Sequence, residues 1–167
     1  MRGRLRGVDF PHVFTSPCQR SRRTCELAGR GAPARIEPDL AEWDYGDDEG
    51  LTTAEISERQ PSWNLFNDGC PGGELPAQVS ARADRLMARL RRLDGNVALF
   101  THGHFGRVLG VRWIGLPVPS AQCFLLSTAS LSILSHEHDC IDWPAIALWN
   151  DVSHKTSPLQ NRPAELP

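Results

Sequence analysis

The chain has 167 residues, 40% of them hydrophobic, which suits the core of one globular domain. A net charge of −2 with Lys155 as the single lysine argues against a nucleic-acid-binding surface, since such surfaces need a dense basic stripe. Five cysteines without a C-x-x-C pair argue against a disulfide framework and against a structural zinc site. With no run of about 18 apolar residues and no apolar leader, the sequence predicts a cytoplasmic protein that does not span a membrane.

The first third of the chain alternates between strand and helix patterns. Residues 12–16, HVFTS, predict a short strand that ends at the Ser16-Pro17 turn, and residues 18–29 predict a helix with Gly29 as its C-cap. Residues 34–40 can hold one more strand. An acidic, glycine-containing loop, EWDYGDDEG, follows, and TTAEISER then predicts a short helix with a threonine cap.

The remainder continues the alternation. The proline- and glycine-rich residues 61–74 predict a surface loop. Residues 75–93 predict an amphipathic helix, because apolar side chains recur there at spacings of three and four. NVALF and the residues after it predict another strand and helix, and residues 124–135 and 145–150 predict two late strands. We therefore expect one domain over residues 1–150 and a disordered, proline-rich tail over residues 151–167.

Strands that alternate with helices indicate an α/β fold whose sheet is covered on both faces. Ligands of such sheets bind at the carboxyl ends of the strands, where helices begin and offer unpaired N–H groups. His102 directly follows one strand, and Arg20 lies on the first turn of the helix that follows another. Glu42, in the acidic loop, can reach the same edge. An arginine and a histidine that neutralise phosphate oxygens, with a carboxylic acid that protonates a leaving group, suit phosphoryl transfer.

Other chemistries find less support. HEHDC, residues 136–140, carries ligand-type side chains but lacks a second cluster, so we expect no metal site. His104 is expected at the rim of the site. The spacing of Cys18 and Arg23 is one residue shorter than a cysteine phosphatase loop requires, and the sequence has no P-loop motif.

Four segments resemble, in order, the motifs of the histidine phosphatase superfamily, also called phosphoglycerate mutase-like. TSPCQRSRRTCELAG resembles its S-P-x-x-R-A-x-x-T-A element, and PDLAEWDYGDDEGLTTAEI resembles L-x-E-x-x-x-G-x-x-E-G-x-T. GGELPAQVSARADRLMARL and VALFTHGHFGRVLG resemble its G-G-E-S and S-H-G segments. Ser21, Cys25, Leu75 and Thr101 depart from the residues usual in these motifs, and none of the departures removes a charge.

The resemblance implies a three-layer, doubly wound α/β sandwich with a mostly parallel sheet. It makes Arg20 a phosphate clamp, Glu42 the proton donor to the leaving group, and His102 the second histidine that holds the phosphoryl group, with Gly103 offering its backbone N–H. It implies a small phosphorylated substrate, no metal and no organic cofactor. The short span between Gly50 and Gly72 resembles phosphatase members more than mutases, so we expect hydrolysis.

One motif of the family is absent from the sequence. Its reaction passes through a phosphohistidine on an N-terminal L-x-R-H-G motif, and no R-H dipeptide occurs in this chain. We therefore expect the chain to lack the first, central strand and most of the first helix, and to be inactive as given. Two hypotheses stay open: a phosphomonoesterase whose nucleophilic histidine lies in a segment outside this sequence, and an inactive remnant or phosphate-binding pseudoenzyme. Under the second hypothesis the absent central strand would leave two apolar strand edges unpaired, so such a chain should aggregate or oligomerise.

Overall fold

The computed structural model describes residues 2–155, apart from the side chain of Asp139. The described residues contain five α-helices and five strands. The helices are α1 Gln19–Leu27, α2 Thr53–Arg59, α3 Leu65–Asp68, α4 Pro76–Leu90 and α5 Gly103–Trp113. The strands are β1 His12–Thr15, β2 Arg35–Ile36, β3 Val97–Phe100, β4 Leu131–His136 and β5 Pro144–Asp151.

The strands form two separate sheets in the part of the chain that the structure describes. The first is parallel, with β1 in the centre between β2 and β3, and its register pairs Thr15 with Ile36 on one side and with Phe100 on the other. The second is the antiparallel hairpin of β4 and β5. The fold is therefore α/β with a parallel sheet, whose carboxyl edge lies at Thr15 and Phe100.

Apolar side chains cover both faces of the parallel sheet, as the alternation of side chains along a strand requires. Val13 faces a cluster that includes Cys25 and Ala28 at the end of α1, whereas the neighbouring Phe14 packs against a larger cluster on the other face. The larger cluster is built from α3, α4, α5 and the segments around them. The parallel sheet thus lies between two helical layers.

The predicted surface loop, residues 61–74, is wrong in part. It contains α3, which begins after Asn64, whose side-chain oxygen accepts the Phe66 N–H at 3.0 Å. Leu65, Phe66 and Cys70 are buried in the larger cluster. Proline and glycine correctly mark turns in this segment, but they carry no information about which apolar side chains between them reach the core.

Two predicted strands are shorter than their apolar sequence suggested. The segment from residue 34 to 40 forms only the two-residue β2 before a 3₁₀ turn at Pro38–Leu40, because proline has no N–H to donate to a sheet and fits a first helical turn. Within residues 124–135 the strand begins only at Leu131.

The last strand, β5, runs through Asp151, and residues 152–155 continue it as a turn. The rest of the predicted disordered tail, residues 156–167, lies outside the described residues. Among the helices of residues 2–155, none combines the length and the apolar character needed to cross a membrane.

Candidate active site

Two side chains meet where β1 and β3 end. Ser16 follows β1 and continues the ladder, since its N–H donates to Phe100 O at 2.9 Å. His102 follows β3 and is the N-cap residue of α5. The His102 Nε2 and the Ser16 Oγ are 2.7 Å apart, and both residues are buried, His102 with 8% of its surface exposed. The parallel register therefore brings the two strand ends into direct contact.

Arg20 reaches the same histidine from the first turn of α1. Its Nε–H donates to His102 Nδ1 at 3.0 Å. Because a guanidinium can only donate, Nδ1 must be unprotonated, which puts the proton of the neutral ring on Nε2, facing Ser16. Burial lowers the pKa of His102, with Arg20 and Arg82 adding to the lowering and Glu42 opposing it. The ring is therefore held neutral.

Glu42 caps α5 from another segment of the chain. Its Oε1 accepts the Phe105 N–H at 2.9 Å, and its Oε2 accepts the His104 N–H at 3.3 Å. The His102 side chain makes no cap hydrogen bond of its own, so the carboxylate satisfies amides that a helix start leaves unpaired. Gly103, the first residue of the helix, is exposed beside them.

Arg82 fixes the segment that carries Glu42. It is buried, with 9% exposed, and its Nε and Nη2 form a bidentate ion pair with the Glu74 carboxylate at 2.8 and 2.6 Å. Its Nη1 donates to the carbonyls of Asp39 and Ala41, both at 2.9 Å, and its Nη2 also donates to Glu42 O at 3.3 Å. One side chain thereby holds the backbone of residues 39–42 against α4.

The acidic loop itself packs backbone to backbone on the segment before α4. Asp47 N–H donates to Pro71 O and Glu74 N–H donates to Asp44 O, both at 2.9 Å. Gly46, with φ at 52°, and Gly73 approach each other so closely that a Cβ on either would overlap backbone atoms of the other segment. The loop that follows Glu42 is therefore fixed along its length.

His104 lies beside Glu42, with its side chain 38% exposed and its Nδ1 3.9 Å from Glu42 Oε2. The same Nδ1 is 2.9 Å from the Tyr45 hydroxyl. Burial lowers the pKa of His104, Arg107 adds to the lowering, and Glu42 opposes it. His104 thus borders the candidate site at its rim.

The structure brings Arg20, Glu42, His102 and Gly103 together around the N-terminus of α5. It also gives roles to two residues that sequence reasoning missed, Ser16 and Arg82. Arg82 carries a readable signal, since with Val79, Ala83 and Leu86 it completes the i, i+3, i+4, i+7 pattern of a buried helix face. Ser16 carries no comparable signal beyond its place at a strand end.

Two residues that depart from the family motifs, Ser21 and Thr101, donate hydrogen bonds to backbone carbonyls. The Ser21 Oγ donates to Phe100 O at 2.7 Å, and the Thr101 Oγ1 donates to Leu40 O at 2.9 Å. The first ties α1 to the end of β3, and the second ties the end of β3 to the segment that leads to Glu42. Both hydroxyls therefore strengthen the framework of the site.

The arrangement offers hydrogen-bond donors and an acid to an oxyanion. Arg20 presents a guanidinium, and its two terminal nitrogens have no hydrogen-bond acceptor among residues 2–155. Gly103 presents an exposed amide, and Glu42 presents a carboxyl group. In the described residues no group of three or more His, Cys, Asp or Glu side chains converges as it would around a metal ion. Donors that converge on one point suit an anion such as phosphate.

Comparison with known proteins agrees with this chemistry. Residues 1–152 match the histidine phosphatase superfamily (branch 1). An acid phosphatase of Mycobacterium tuberculosis is 43% identical over 133 residues, which are 78% of this chain and 65% of that protein. The chain thus matches less than two thirds of the length of that relative. Sedoheptulose 1,7-bisphosphatase of Saccharomyces cerevisiae is 30% identical over 197 residues, covering 84% of this chain and 73% of that protein.

A solved structure shares the fold. The open reading frame Rv3214 of Mycobacterium tuberculosis superposes with a TM-score of 0.80 at 39% identity, over 89% of this chain and 75% of that one. The family match spans nearly all of the described residues and includes the cluster around the start of α5. The chain therefore belongs to the histidine phosphatase superfamily, branch 1.

Proposed function

We propose that this site serves the hydrolysis of a small phosphate monoester through a phosphohistidine. The observation that carries the proposal is the convergence of Arg20, Glu42 and His102 at the N-terminus of α5. Phosphatases among the relatives support it.

In this proposal Arg20 and the Gly103 N–H bind the phosphate oxygens. The Arg20 guanidinium turns from His102 to the ligand, which frees Nδ1. His102 then takes up a proton, because the anion stabilises its charged form, and it holds the phosphoryl group in the transition state. Glu42, when protonated, donates its proton to the leaving alkoxide, and the resulting carboxylate takes a proton back from the water that hydrolyses the phosphohistidine. The Glu42 side chain already lies in place, so little reorganisation is needed at either step.

The reaction also needs a nucleophilic histidine, which the described residues do not supply. Of the six histidines in the chain, His102 already has its assigned part, and His104 bonds Tyr45 at the rim. His12 begins β1 and therefore lies at the opposite edge of the sheet, about 13 Å from Ser16 at 3.3 Å per residue. His136 stacks on Trp113, and His138 and His154 lie in the turns that follow β4 and β5, beside the separate hairpin sheet. We therefore propose that the nucleophile belongs to an R-H-G segment outside this sequence.

The arrangement of the two sheets supports one position for such a segment. In residues 2–155, β3 pairs only with β1, and the β4–β5 hairpin forms its own sheet. An added strand beside β3 would pair this edge and place its own carboxyl end next to His102. This is the proposed place of the first, central strand.

A second candidate, a phosphate-binding protein without catalysis, is favoured by one observation. Both ring nitrogens of His102 are engaged, by Arg20 and Ser16, and the described residues hold no second histidine in contact with this pair. Such a site would bind inorganic phosphate and release it unchanged.

Hydrolysis of a generic aryl phosphate tests the proposal. We expect residues 1–167 alone to show no turnover above background while binding inorganic phosphate. A chain extended upstream by an in-frame L-x-R-H-G segment should reach a kcat of about 1 to 10³ s⁻¹ and lose it when His102 is replaced by alanine. Turnover by residues 1–167 that depends on His104 would contradict the assignment of the nucleophile, and an extended chain that binds phosphate without turnover would favour the second candidate.

A further inference from the structure

A hollow of about 520 Å³ opens beside the candidate site. One of its walls is His104, whose Nδ1 lies 3.9 Å from Glu42 Oε2, and the opposite wall is the turn before α2 and the start of that helix. The hollow is lined by Tyr45, Glu49, Gly50, Leu51, Thr52, Thr53, Ala54, Ile56 and His104. It is large enough for an organic group of several carbon atoms.

We propose that this hollow receives the organic part of the phosphate ester, and that Glu49 makes it selective for uncharged, hydroxylated alcohols over alcohols that carry a second negative charge. The inference rests on the proposed function, because it takes Glu42 as the proton donor. The leaving oxygen must then lie at Glu42, and the organic group must continue past it. The hollow begins at His104, which is in contact range of the Glu42 carboxylate.

The charges around the hollow are negative. Glu49 is an exposed carboxylate in its wall, and Glu42 Oε2 lies 3.9 Å from Nδ1 of His104, which forms another part of the wall. Burial raises the pKa of the Tyr45 hydroxyl, and the charges of Glu42 and Glu49 are among the groups that raise it further, with Arg107 opposing them. A second phosphate or a carboxylate in this hollow would meet the same field.

No cation in the lining residues offsets those carboxylates. The lining contains neither lysine nor arginine, and burial lowers the pKa of His104, which keeps its ring neutral at physiological pH. Arg107 lies outside the lining, and its Nε and Nη2 donate to the carbonyls of Ala121 and Gln122, both at 2.8 Å, so its charge acts on Tyr45 and His104 only in part against the two carboxylates.

Neutral hydroxyl groups, in contrast, find partners there. The Tyr45 hydroxyl and His104 Nδ1 bond each other at 2.9 Å, which leaves a lone pair on the Tyr45 oxygen and the His104 Nε2 for a ligand, and Thr53 is exposed. The Thr52 hydroxyl is occupied by the capping box with Glu55. Hydrogen bonds to alcohols therefore remain available, while an anion would be repelled.

Two phosphate esters differ in the charge of the group that would enter the hollow. Glycerol 3-phosphate and 3-phosphoglycerate share the phosphate and a three-carbon skeleton, but the first ends in CH₂OH and the second in a carboxylate. We expect calorimetric titration of residues 1–167 at pH 7.5 to give glycerol 3-phosphate about fivefold tighter binding, the size of a charge repulsion at a partly solvated site. Inorganic phosphate is titrated first as a reference.

Variants of Glu49 test whether its charge causes the preference for glycerol 3-phosphate. Glu49→Gln should reduce the fivefold preference to about twofold, and Glu49→Lys should reverse it, while both keep the affinity for inorganic phosphate within about twofold. The matched control is Glu58→Gln, an exposed residue on α2 outside the hollow, which should leave the preference unchanged. Circular dichroism confirms that each variant is folded.

The outcomes separate the two proposals. If inorganic phosphate binds but 3-phosphoglycerate binds as tightly as glycerol 3-phosphate, or if Glu49→Gln behaves like Glu58→Gln, the selectivity is overturned and the phosphate site stands. If inorganic phosphate fails to bind, the proposed function fails and the inference fails with it.

Discussion

Glu42 and Arg20 border the same helix start, yet the molecule holds them in very different ways. The Glu42 carboxylate accepts backbone N–H groups from Trp43, His104 and Phe105. Arg82 holds the backbone carbonyls of Ala41 and Glu42. The Arg20 side chain, at an exposed position on α1, makes a single hydrogen bond within residues 2–155, to His102. The proposed proton donor is therefore fixed before a ligand arrives, whereas the proposed phosphate clamp needs to break only one bond to turn towards it.

The largest effect should come from the buried arginine on the fixed side. Replacing Arg82 with methionine leaves the Glu74 carboxylate and three carbonyls without their donor, so we expect a loss of about 3 to 5 kcal/mol in the free energy of unfolding. Urea denaturation measures it. Arg85→Met on the same helix removes an exposed pair with Asp39, which solvent screens, and should leave the free energy of unfolding almost unchanged. Equal losses would show that Arg82 is an ordinary surface cation.

Replacing Arg20 should affect phosphate binding and leave the stability of the fold almost unchanged. Arg20→Met removes a charged donor to phosphate, and we expect affinity for inorganic phosphate to fall at least about tenfold, since charge-assisted hydrogen bonds contribute about 1.5 to 3 kcal/mol. The free energy of unfolding should change by less than about 0.5 kcal/mol. Arg22→Met, at an exposed position of the same helix, is the control for calorimetry. A similar fall in affinity in that control would remove Arg20 from the site.

Glu42→Gln should change both the stability of the fold and the affinity for phosphate. The amide keeps the shape but loses the charge that faces the helix N-terminus, so we expect a loss of about 1 kcal/mol in stability. Phosphate affinity should rise about threefold, because one repulsive charge beside the anion disappears. Thermal unfolding and calorimetry measure the two. A fall in phosphate affinity would show that Glu42 organises the binding site and does not merely border it.

The smallest effect is a pH dependence that His102 contributes. Its folded-state pKa lies below the ordinary 6.5, so the unfolded chain takes up the proton first as the pH falls. The stability that depends on the neutral ring is complete above about pH 6.5 and declines as the pH falls below it. His102→Asn should reduce the slope of unfolding free energy against pH in this window, and saturating phosphate should flatten the slope of the parent chain. An unchanged slope in the variant would place the titration on other groups.

The gathering of Arg20, Glu42 and His102 could be predicted because it follows from topology. His102 and the helix of Arg20 come after strands that are parallel, and the carboxyl ends of parallel strands share one edge. The tethering of Glu42 could not, since the helix pattern puts Arg82 on the buried face of α4 but does not reveal that residues 39–42 supply its acceptors. The burial of Leu65 and Phe66 was missed for the same reason. A loop pattern reports where the chain turns, and what the loop then covers depends on residues far away in sequence.

The contact between Gly46 and Gly73 has a consequence for how substitutions in this protein are interpreted. Each backbone fills the space where the other residue would carry a Cβ, so even alanine should be rejected at both positions. A saturation library selected for stability alone would lose every variant at these two positions, although neither residue touches a substrate. Strict invariance of these two glycines is thus expected without any catalytic demand. Loss of activity on substitution of Asp44, Asp47 or Glu49 would instead identify the charges that the chemistry uses.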